Sequence, residues 1–246
     1  MRERQANDQF LLDPVLAYDR VAPCFEALSD LRRTYLTSVE QLVSSEIPRG
    51  SRSLLDVGAG NGTRAVRIAQ ATGVKNLSLL EPSTGMRRDW PTEVRRWPVR
   101  AEQLSGKTGT FDVILCLWNV LGHIFPSRSR TDVLRHCGRL LSPEGRIFID
   151  VINRYNAAQY GVFRTALRML RDRVRPNENN GNVIVHWQVN GKTHTTKGHV
   201  FTPSEFLKMA QSAELAIEKQ FTIHYSTGQI CRSRFRGNPL YILRRA

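Results

Sequence analysis

The sequence predicts an α/β domain built on a doubly wound parallel sheet. Through most of the 246 residues, short apolar segments alternate with amphipathic helical segments. The apolar segments are continuously hydrophobic, as in strands that helices cover on both faces. The first of them, residues 53–57, leads into a glycine-rich turn and then a helix. A predicted helix and hairpin interrupt this alternation after residue 153.

The N-terminal part is predicted to be helical. Residues 15–18 can form a short helix, and apolar residues then recur at spacings of three and four from Phe25 through Leu31 to Val43. Pro48 and Gly50 end this second, continuous helix. Residues 1–48 therefore precede the sheet as a helical segment.

Five strands follow in order, each a short apolar run. They are predicted at residues 53–57, 77–80, 94–99, 111–117 and 147–151. A helix follows the first strand, and another, from residue 133 to 141, precedes the fifth and stops at a turn over residues 142–145. This order of strand and helix is typical of a parallel sheet.

The segment after the fifth strand departs from this pattern. Residues 157–173 read as one helix, and residues 183–188 and 193–199 flank Asn190-Gly191, a strong hairpin signal. A helix that begins at residues 202–205 and extends through residue 213 then resumes the pattern, with strands at 216–224 and 240–243. We therefore predict an insertion at 154–200.

Composition excludes several classes of protein. The apolar run from 111 to 125 is interrupted by polar residues, which argues against a membrane span, and four scattered cysteines predict neither a disulfide framework nor a metal site. The first residues form no signal sequence, so a cytoplasmic location is expected. The net charge of +14 comes from 30 Arg and 6 Lys against 22 acids. It is typical either of an anionic partner or of dispersed, solvated arginines.

The glycine turn is the most informative motif. Asp56 precedes three glycines at positions 58, 60 and 62, whereas the dinucleotide fingerprint would need glycine at Thr63. A carboxylate here repels a pyrophosphate but attracts an ammonium group. The motif therefore favours S-adenosylmethionine over NAD.

Two acidic positions at later strand ends agree with this interpretation. Glu81 follows the second strand, about 20 residues after the turn, where a carboxylate accepts hydrogen bonds from ribose hydroxyls. After the third strand, Ala101 and Glu102 can lie near an adenine amino group. A carboxylate at Glu81 would also reject the 2′-phosphate of NADP.

Together these motifs resemble the class I S-adenosylmethionine-dependent methyltransferases. The resemblance runs from about Tyr18 to the C-terminus and implies a Rossmann-like, seven-stranded sheet whose last strand is antiparallel. It implies S-adenosylmethionine as cofactor and S-adenosylhomocysteine as product, with residues 1–48 capping the cofactor and 154–200 covering the substrate in a single domain, 1–246. The implied cofactor-binding residues are Tyr18, Asp56, Gly58, Gly60, Gly62, Glu81, Ala101, Glu102 and Leu117.

The acceptor is expected to be a small molecule. Residues 118–124 and 148–153 look most similar to methyltransferases of the glycine N-methyltransferase type, although Ile152 stands where that type has a carboxylate-binding arginine. An RNA methyltransferase is an alternative that the charge alone favours. This chain lacks the Asn/Asp-Pro-Pro loop that amino-directed nucleic-acid methyltransferases place after the fourth strand. RNA cytosine-5 methyltransferases need a nucleophilic cysteine in the loops after the fourth or fifth strand, whereas Cys116 lies inside the fourth strand. A cofactor-binding subunit without transfer activity stays open.

Direct in-line transfer to nitrogen or oxygen requires alignment, and a base where the acceptor carries a proton. His123 and Asn119 follow the fourth strand, and Asn153 and Tyr155 follow the fifth, so these four residues are predicted to face the methyl group. Loss of His123 would lower turnover by about 10² if it is the base. Arginines at 164, 168, 171 and 175 share a predicted helix face, as a solvated stripe or as a basic lid over an anionic acceptor.

No metal, no membrane partner and only weak, non-specific nucleic-acid binding are expected. The identity of the acceptor and the oligomeric state are left open.

Overall fold

The computed structural model of the chain describes residues 13–106, 109–189 and 192–246. Its described strands are numbered in chain order. They are β1 Ser53–Val57, β2 Asn76–Leu80, β3 Arg95–Trp97, β4 Phe111–Cys116, β5 Leu141–Asp150, β6 Asn182–Val189, β7 Lys192–His199, β8 Leu215–Ile223, β9 Ile230–Cys231 and β10 Asn238–Arg245.

Eight of these strands form one sheet in the order β3-β2-β1-β4-β5-β10-β8-β9. The pairs from β3 through β5 are parallel, and β10 runs antiparallel to both β5 and β8. The doubly wound α/β fold and its antiparallel last strand are therefore confirmed. The two-residue β9, which pairs with β8, makes the sheet one strand wider than the seven expected.

The described helices include two pairs that the sequence predicted as single helices. The described α-helices are α1 Pro14–Val21, α2 Phe25–Asp30, α3 Arg33–Glu46, α4 Thr63–Thr72, α5 Ser127–Leu140, α6 Ala157–Tyr160, α7 Val162–Val174 and α8 Pro203–Ser212. The two pairs are α2 with α3 and α6 with α7. The predicted helix from Phe25 to Val43 breaks after α2, and Leu31 in the break is 71% exposed. The break lets α3 turn Tyr35, Val39 and Val43 into the core. Between α6 and α7, Gly161 has φ 84°, which ends the first helix.

The core has two halves, one on each face of the sheet. Leu55, Ile114 and Ile149 pack on one face, and their neighbours Leu54 and Phe148 pack on the other. Successive strand residues point to opposite faces, so both must be apolar when helices cover both sides. This is the reason that the central strands read as continuous apolar runs.

The prediction of a turn at residues 142–145 is wrong in detail. Strand β5 begins at Leu141, directly after α5. Its pairing with β4 shifts between Leu141 and Arg146, so the residues between them form an irregularity within the strand. Farther along, Thr202 and Glu205 form a capping box that starts α8 where the sequence predicts a helix.

The insertion forms a separate layer of helix and hairpin. Within the described part of the chain, strands β6 and β7 pair only with each other, with His186 opposite Thr195. The predicted turn residues Asn190 and Gly191 lie outside the described residues. The hairpin packs against α1 and against the short helical turn Val120–His123 that follows β4.

Candidate functional site

A cavity of about 710 Å³ lies at the carboxyl ends of β1, β2 and β4. Its volume is in the range of small-molecule sites, and ligands of open α/β sheets bind at this edge. Helices α1 and α2 form the opposite wall through side chains that include Val15, Tyr18 and Phe25. Of the predicted cofactor-binding residues, those on the wall are Tyr18, Gly58, Gly60, Glu81, Ala101, Glu102 and Leu117.

The glycine turn is tied to the end of the neighbouring strand. The N–H groups of Gly58 and Ala59 donate to the Leu80 carbonyl at 2.8 and 2.9 Å. Gly58 has φ 73°, and a Cβ there would lie 2.5 Å from the Val120 side chain. Glycine is required at this position both for the backbone conformation and for the close approach.

Gly62 does not line the cavity, contrary to the prediction. A Cβ at this position would lie 2.8 Å from Leu79 and 3.2 Å from Trp90. Its φ of 76° also places the residue in the left-handed region at the start of α4. The third glycine therefore serves the packing of helix against sheet.

Glu81 is a buried carboxylate on the cavity wall, 8% exposed. One oxygen accepts the Gly60 N–H at 3.0 Å and the other accepts the Ser83 N–H at 2.9 Å. Burial raises the pKa of the carboxyl, while these two N–H groups act in the opposite direction. Each oxygen keeps acceptor capacity beyond its one protein bond.

Asp56 lies deeper than the prediction required. It is fully buried in β1, is not on the cavity wall, and neither carboxylate oxygen has a hydrogen-bond partner among the described residues. Burial raises its pKa to about 7, with Arg64 opposing and Glu81 reinforcing the shift. A direct contact between Asp56 and a ligand in the cavity is therefore not formed by this arrangement.

His123 lies on the cavity wall with both ring nitrogens engaged. Nδ1 is 3.2 Å from the Lys197 carbonyl and Nε2 is 3.3 Å from the Tyr18 hydroxyl. Because a carbonyl only accepts, Nδ1 carries the proton and Nε2 accepts from Tyr18. Burial lowers the pKa of His123 to about 4, so the ring is neutral. Trp187 of β6 packs on Tyr18, with ring centroids 5.1 Å apart.

The loop after β4 is held in an uncommon conformation. Trp118 and Asn119 have φ of 64° and 59°, in the left-handed region that non-glycine residues seldom adopt. Asp150 holds it: one carboxylate oxygen accepts the Trp118 N–H and the other accepts the Tyr35 hydroxyl at 2.7 Å. Trp118 thereby reaches the cavity wall.

Asn119 supports this loop and does not reach the cavity. Its Oδ1 accepts the Ile152 N–H at 3.0 Å, and its Nδ2 donates to the His199 carbonyl at 3.2 Å. The side chain is 5% exposed. The prediction that Asn119 faces the methyl group is therefore not supported. Its side chain instead links the loop to the residues that follow β5 and to β7 of the insertion.

Tyr155 and Asn153 are also directed away from the cavity. The Tyr155 hydroxyl donates to Asp172 of α7 at 2.9 Å, and the Asn153 amide donates to the Arg234 and Gly237 carbonyls at 2.7 and 3.0 Å. Both residues follow β5 as predicted, but the chain there turns into the insertion.

The arginine stripe does not line the cavity either. Arg168 lies 4.1 Å over the Tyr160 ring and Arg171 donates to the Asn180 carbonyl. Part of the basic face therefore contacts the insertion itself. These contacts do not support its interpretation as a lid over an anionic acceptor.

Sequence reasoning missed several wall residues. Phe25, Met86 and Trp118 line the cavity, and the rings of Phe25 and Trp118 lie 5.6 Å apart. Arg64 of α4 lines it as well, and its Nε has no hydrogen-bond partner within the described part of the chain. Only Arg64 had a signal, because it follows the glycine turn directly. The others come from segments whose approach depends on tertiary packing.

Comparison with known sequences identifies relatives of this chain. A family profile described as a methyltransferase domain matches residues 27–220. The ubiquinone biosynthesis O-methyltransferase of Dechloromonas aromatica is 33% identical over 145 residues, 53% of this chain and 55% of the relative. The mitochondrial enzyme of that name from Saccharomyces cerevisiae is 33% identical over 115 residues, 42% of this chain and 34% of the relative. The matches span about half or less of these relatives.

Solved structures share the fold at low sequence identity. The CcbJ methyltransferase from Streptomyces caelestis has a TM-score of 0.68 at 14% identity, covering 94% of this chain and 98% of that one. CalS10, an amino pentose methyltransferase from Micromonospora echinaspora, has a TM-score of 0.61 at 15% identity, covering 91% and 97%.

Proposed function

This chain belongs to the methyltransferase domain family, and from that premise we propose that it transfers the methyl group of S-adenosylmethionine to a small-molecule acceptor. The names of the relatives favour oxygen as the acceptor atom. Nitrogen is the other possibility that the sequence leaves open. Nucleic acid is expected to bind only weakly and non-specifically, and a cytoplasmic location is part of this proposal.

Glu81 is the observation that carries the proposal. Its inner contacts to Gly60 and Ser83 fix the carboxylate at the end of β2, and its remaining acceptor capacity faces the cavity. A ribose diol offers two hydroxyl donors, which suit two fixed carboxylate oxygens. Ala101 and Glu102 lie on the same wall, where an adenine would follow the ribose.

The glycine turn supports the same choice. Gly58 and Gly60 present backbone to the cavity, whereas Gly62 packs against Leu79 and Trp90. S-adenosylmethionine has no phosphate, so the turn needs only the close backbone approach that Gly58 and Gly60 provide. When bound, it would supply a methyl group on a sulfonium, which is already a good leaving group.

The protein's part in such a reaction is alignment, exclusion of water and transfer of a proton. The rings of Phe25 and Trp118 close the cavity wall beside the glycine turn. Positioning in an enclosed site can contribute about 7 to 11 kcal/mol to the barrier reduction.

A hydroxyl acceptor must also lose its proton. The neutral His123 has its Nε2 turned toward the Tyr18 hydroxyl, and both side chains lie on the wall. We place the final proton acceptor at Nε2 of His123. The hydroxyl of the methyl acceptor would give its proton to the Tyr18 oxygen while the Tyr18 hydroxyl gives its own proton to Nε2. The Lys197 carbonyl holds the other nitrogen protonated and so fixes this tautomer.

Calorimetric titration tests the cofactor. S-adenosylmethionine and S-adenosylhomocysteine should bind with dissociation constants on the order of micromolar, and NAD and NADP should give no heat of binding. Tight binding of NAD with none of S-adenosylmethionine would refute the proposal.

Filter binding of RNA across a salt series tests the acceptor class. Binding should disappear near physiological salt, because only surface charge contributes. A specific RNA complex that persists there would instead identify a nucleic-acid methyltransferase.

A further inference from the structure

Helix α7 of the insertion buries a polar face. Along its length only Thr165 is fully buried, and Arg168 and Asp172 are partly buried on the same side. Asp172 accepts hydrogen bonds from Arg154, Tyr155 and Asn180. This side of the helix is therefore attached to the domain by ion pairs and hydrogen bonds.

The opposite face of α7 is apolar and exposed. Phe163, Leu167, Leu170 and Val174 recur at spacings of four, three and four, and their exposed fractions are 75, 51, 59 and 66%. This spacing places the four side chains on one stripe. Soluble domains normally turn such a stripe inward, so its exposure indicates an interaction surface.

Arginines border the apolar stripe. Arg164 and Arg171 follow the stripe positions by one residue along one flank, and Arg175 extends this flank beyond the helix end. Arg173 lies on the other side. In the part of the chain that the structure describes, the guanidinium groups of Arg164, Arg173 and Arg175 have neither a hydrogen bond nor an ion pair. Unpaired cations beside an apolar stripe match a surface that is apolar inside and anionic at its edge.

We propose that α7 is an interfacial helix that docks this domain on the surface of an anionic lipid bilayer. Large apolar side chains beside a basic polar face are the signature of a helix that lies in the headgroup region. A second copy of the chain would bring like charges together, and nucleic acid would leave the apolar stripe uncovered. Among the described residues no helix is long and apolar enough to cross a membrane.

This inference goes beyond the proposed methyl transfer and does not rest on it. It departs from the sequence-based expectation of no membrane partner, because the exposure of the α7 stripe is visible only in the fold. No residue of α7 lines the cavity. Membrane docking and cofactor binding can therefore fail independently, and each is measured without the other.

Sedimentation of the full chain with vesicles tests the proposal. The protein should partition onto phosphatidylcholine vesicles that contain about one third phosphatidylserine, and at least about tenfold more weakly onto phosphatidylcholine alone. The double variant Phe163→Ser/Leu170→Ser should lose at least about tenfold in partition coefficient. The matched control, Leu207→Ser/Ile230→Ser, removes two other exposed apolar side chains and should bind as the unaltered protein does.

A second pair of variants isolates the charge. Arg164→Glu/Arg175→Glu should lose at least about tenfold in binding and most of its salt dependence, while Arg128→Glu/Arg139→Glu makes the same charge change at other exposed positions and should lose far less. Unchanged thermal unfolding and cofactor binding establish that the variants are folded.

Three results would overturn the proposal. They are no binding to either vesicle, equal loss in the stripe and control variants, or a lipid-free dimer by light scattering that the Phe163→Ser/Leu170→Ser variant converts to a monomer.

Discussion

The cavity and the insertion are each organised around one carboxylate, buried at the cavity and partly buried in the insertion, and the two carboxylates differ in how many hydrogen bonds they accept from the protein. In the insertion, Asp172 accepts two bonds from Arg154, at 2.6 and 2.9 Å, one from Tyr155 and one from Asn180. At the cavity, Glu81 accepts one backbone N–H on each oxygen.

The difference separates a structural contact from a binding contact. A carboxylate whose lone pairs are all used by the protein has nothing left for a ligand, whereas a half-used one beside a cavity is fixed and still able to accept. The pKa values agree with this. Burial acts to raise the pKa of both groups, but only at Asp172 do the side-chain bonds outweigh it and lower the pKa.

Asp56 extends the comparison to a carboxylate that has no hydrogen-bond partner among the described residues, and its substitution has the largest expected effect. Its pKa is raised from 3.8 to about 7, so the folded state holds the proton more tightly than the unfolded chain. Stability is then full below about pH 4 and falls as the pH rises to about 7. Asp56→Asn should match the unaltered protein near pH 4 and exceed it at pH 8, by at most about 4 kcal/mol in urea unfolding.

Asp112→Asn is the matched control for that experiment, with the opposite sign. Burial of Asp112 is outweighed by hydrogen bonds from Arg52, Ser142 and Ser53, which lower its pKa. Its contribution is present above the ordinary value of 3.8 and lost below it, so this variant should be less stable at pH 8. A gain in both variants would refute the assignment at Asp56.

Asp172→Asn removes the charge from the fully bonded carboxylate. Arg154, 4% exposed, would be left without its counterion, at a cost of about 3 kcal/mol. Hydrogen exchange of the α7 amides should become faster, while the amides of β1 and the glycine turn keep their protection. Equal acceleration in both regions would contradict the separation between insertion and cavity.

His123 tests the chemistry proposed at the cavity. His123→Ala should lower turnover by about 10² if Nε2 receives the proton. His123→Gln can still donate to the Lys197 carbonyl and accept from Tyr18, so it should restore activity only if positioning is the role. A pKa of about 4 predicts no inflection near pH 6.5 in the unaltered enzyme, because the ring is neutral above pH 5. An inflection near 6.5 that His123→Gln abolishes would contradict the lowered pKa.

The parts predicted from sequence are those governed by local pattern. Continuous apolar strands and the glycine turn located the cavity edge, and Glu81 was identified because it follows the second strand about 20 residues after that turn. The orientation of α7 could not be predicted, because a stripe like Phe163 to Val174 ordinarily faces a core, and the bonds of Asp172 turn it outward. Tyr155 and Asn119 follow the expected strands, but the long-range contacts with Asp172 and His199 direct their side chains away from the cavity.

Calorimetry of Glu81→Ala measures most directly whether Glu81, which accepts one backbone N–H on each oxygen, uses its remaining acceptor capacity to bind the ribose of S-adenosylmethionine. Loss of two charge-assisted hydrogen bonds should weaken S-adenosylmethionine binding by at least about tenfold. Glu93→Ala, at an exposed acid elsewhere, should leave the affinity unchanged. Unchanged affinity in a folded Glu81→Ala protein would contradict the account.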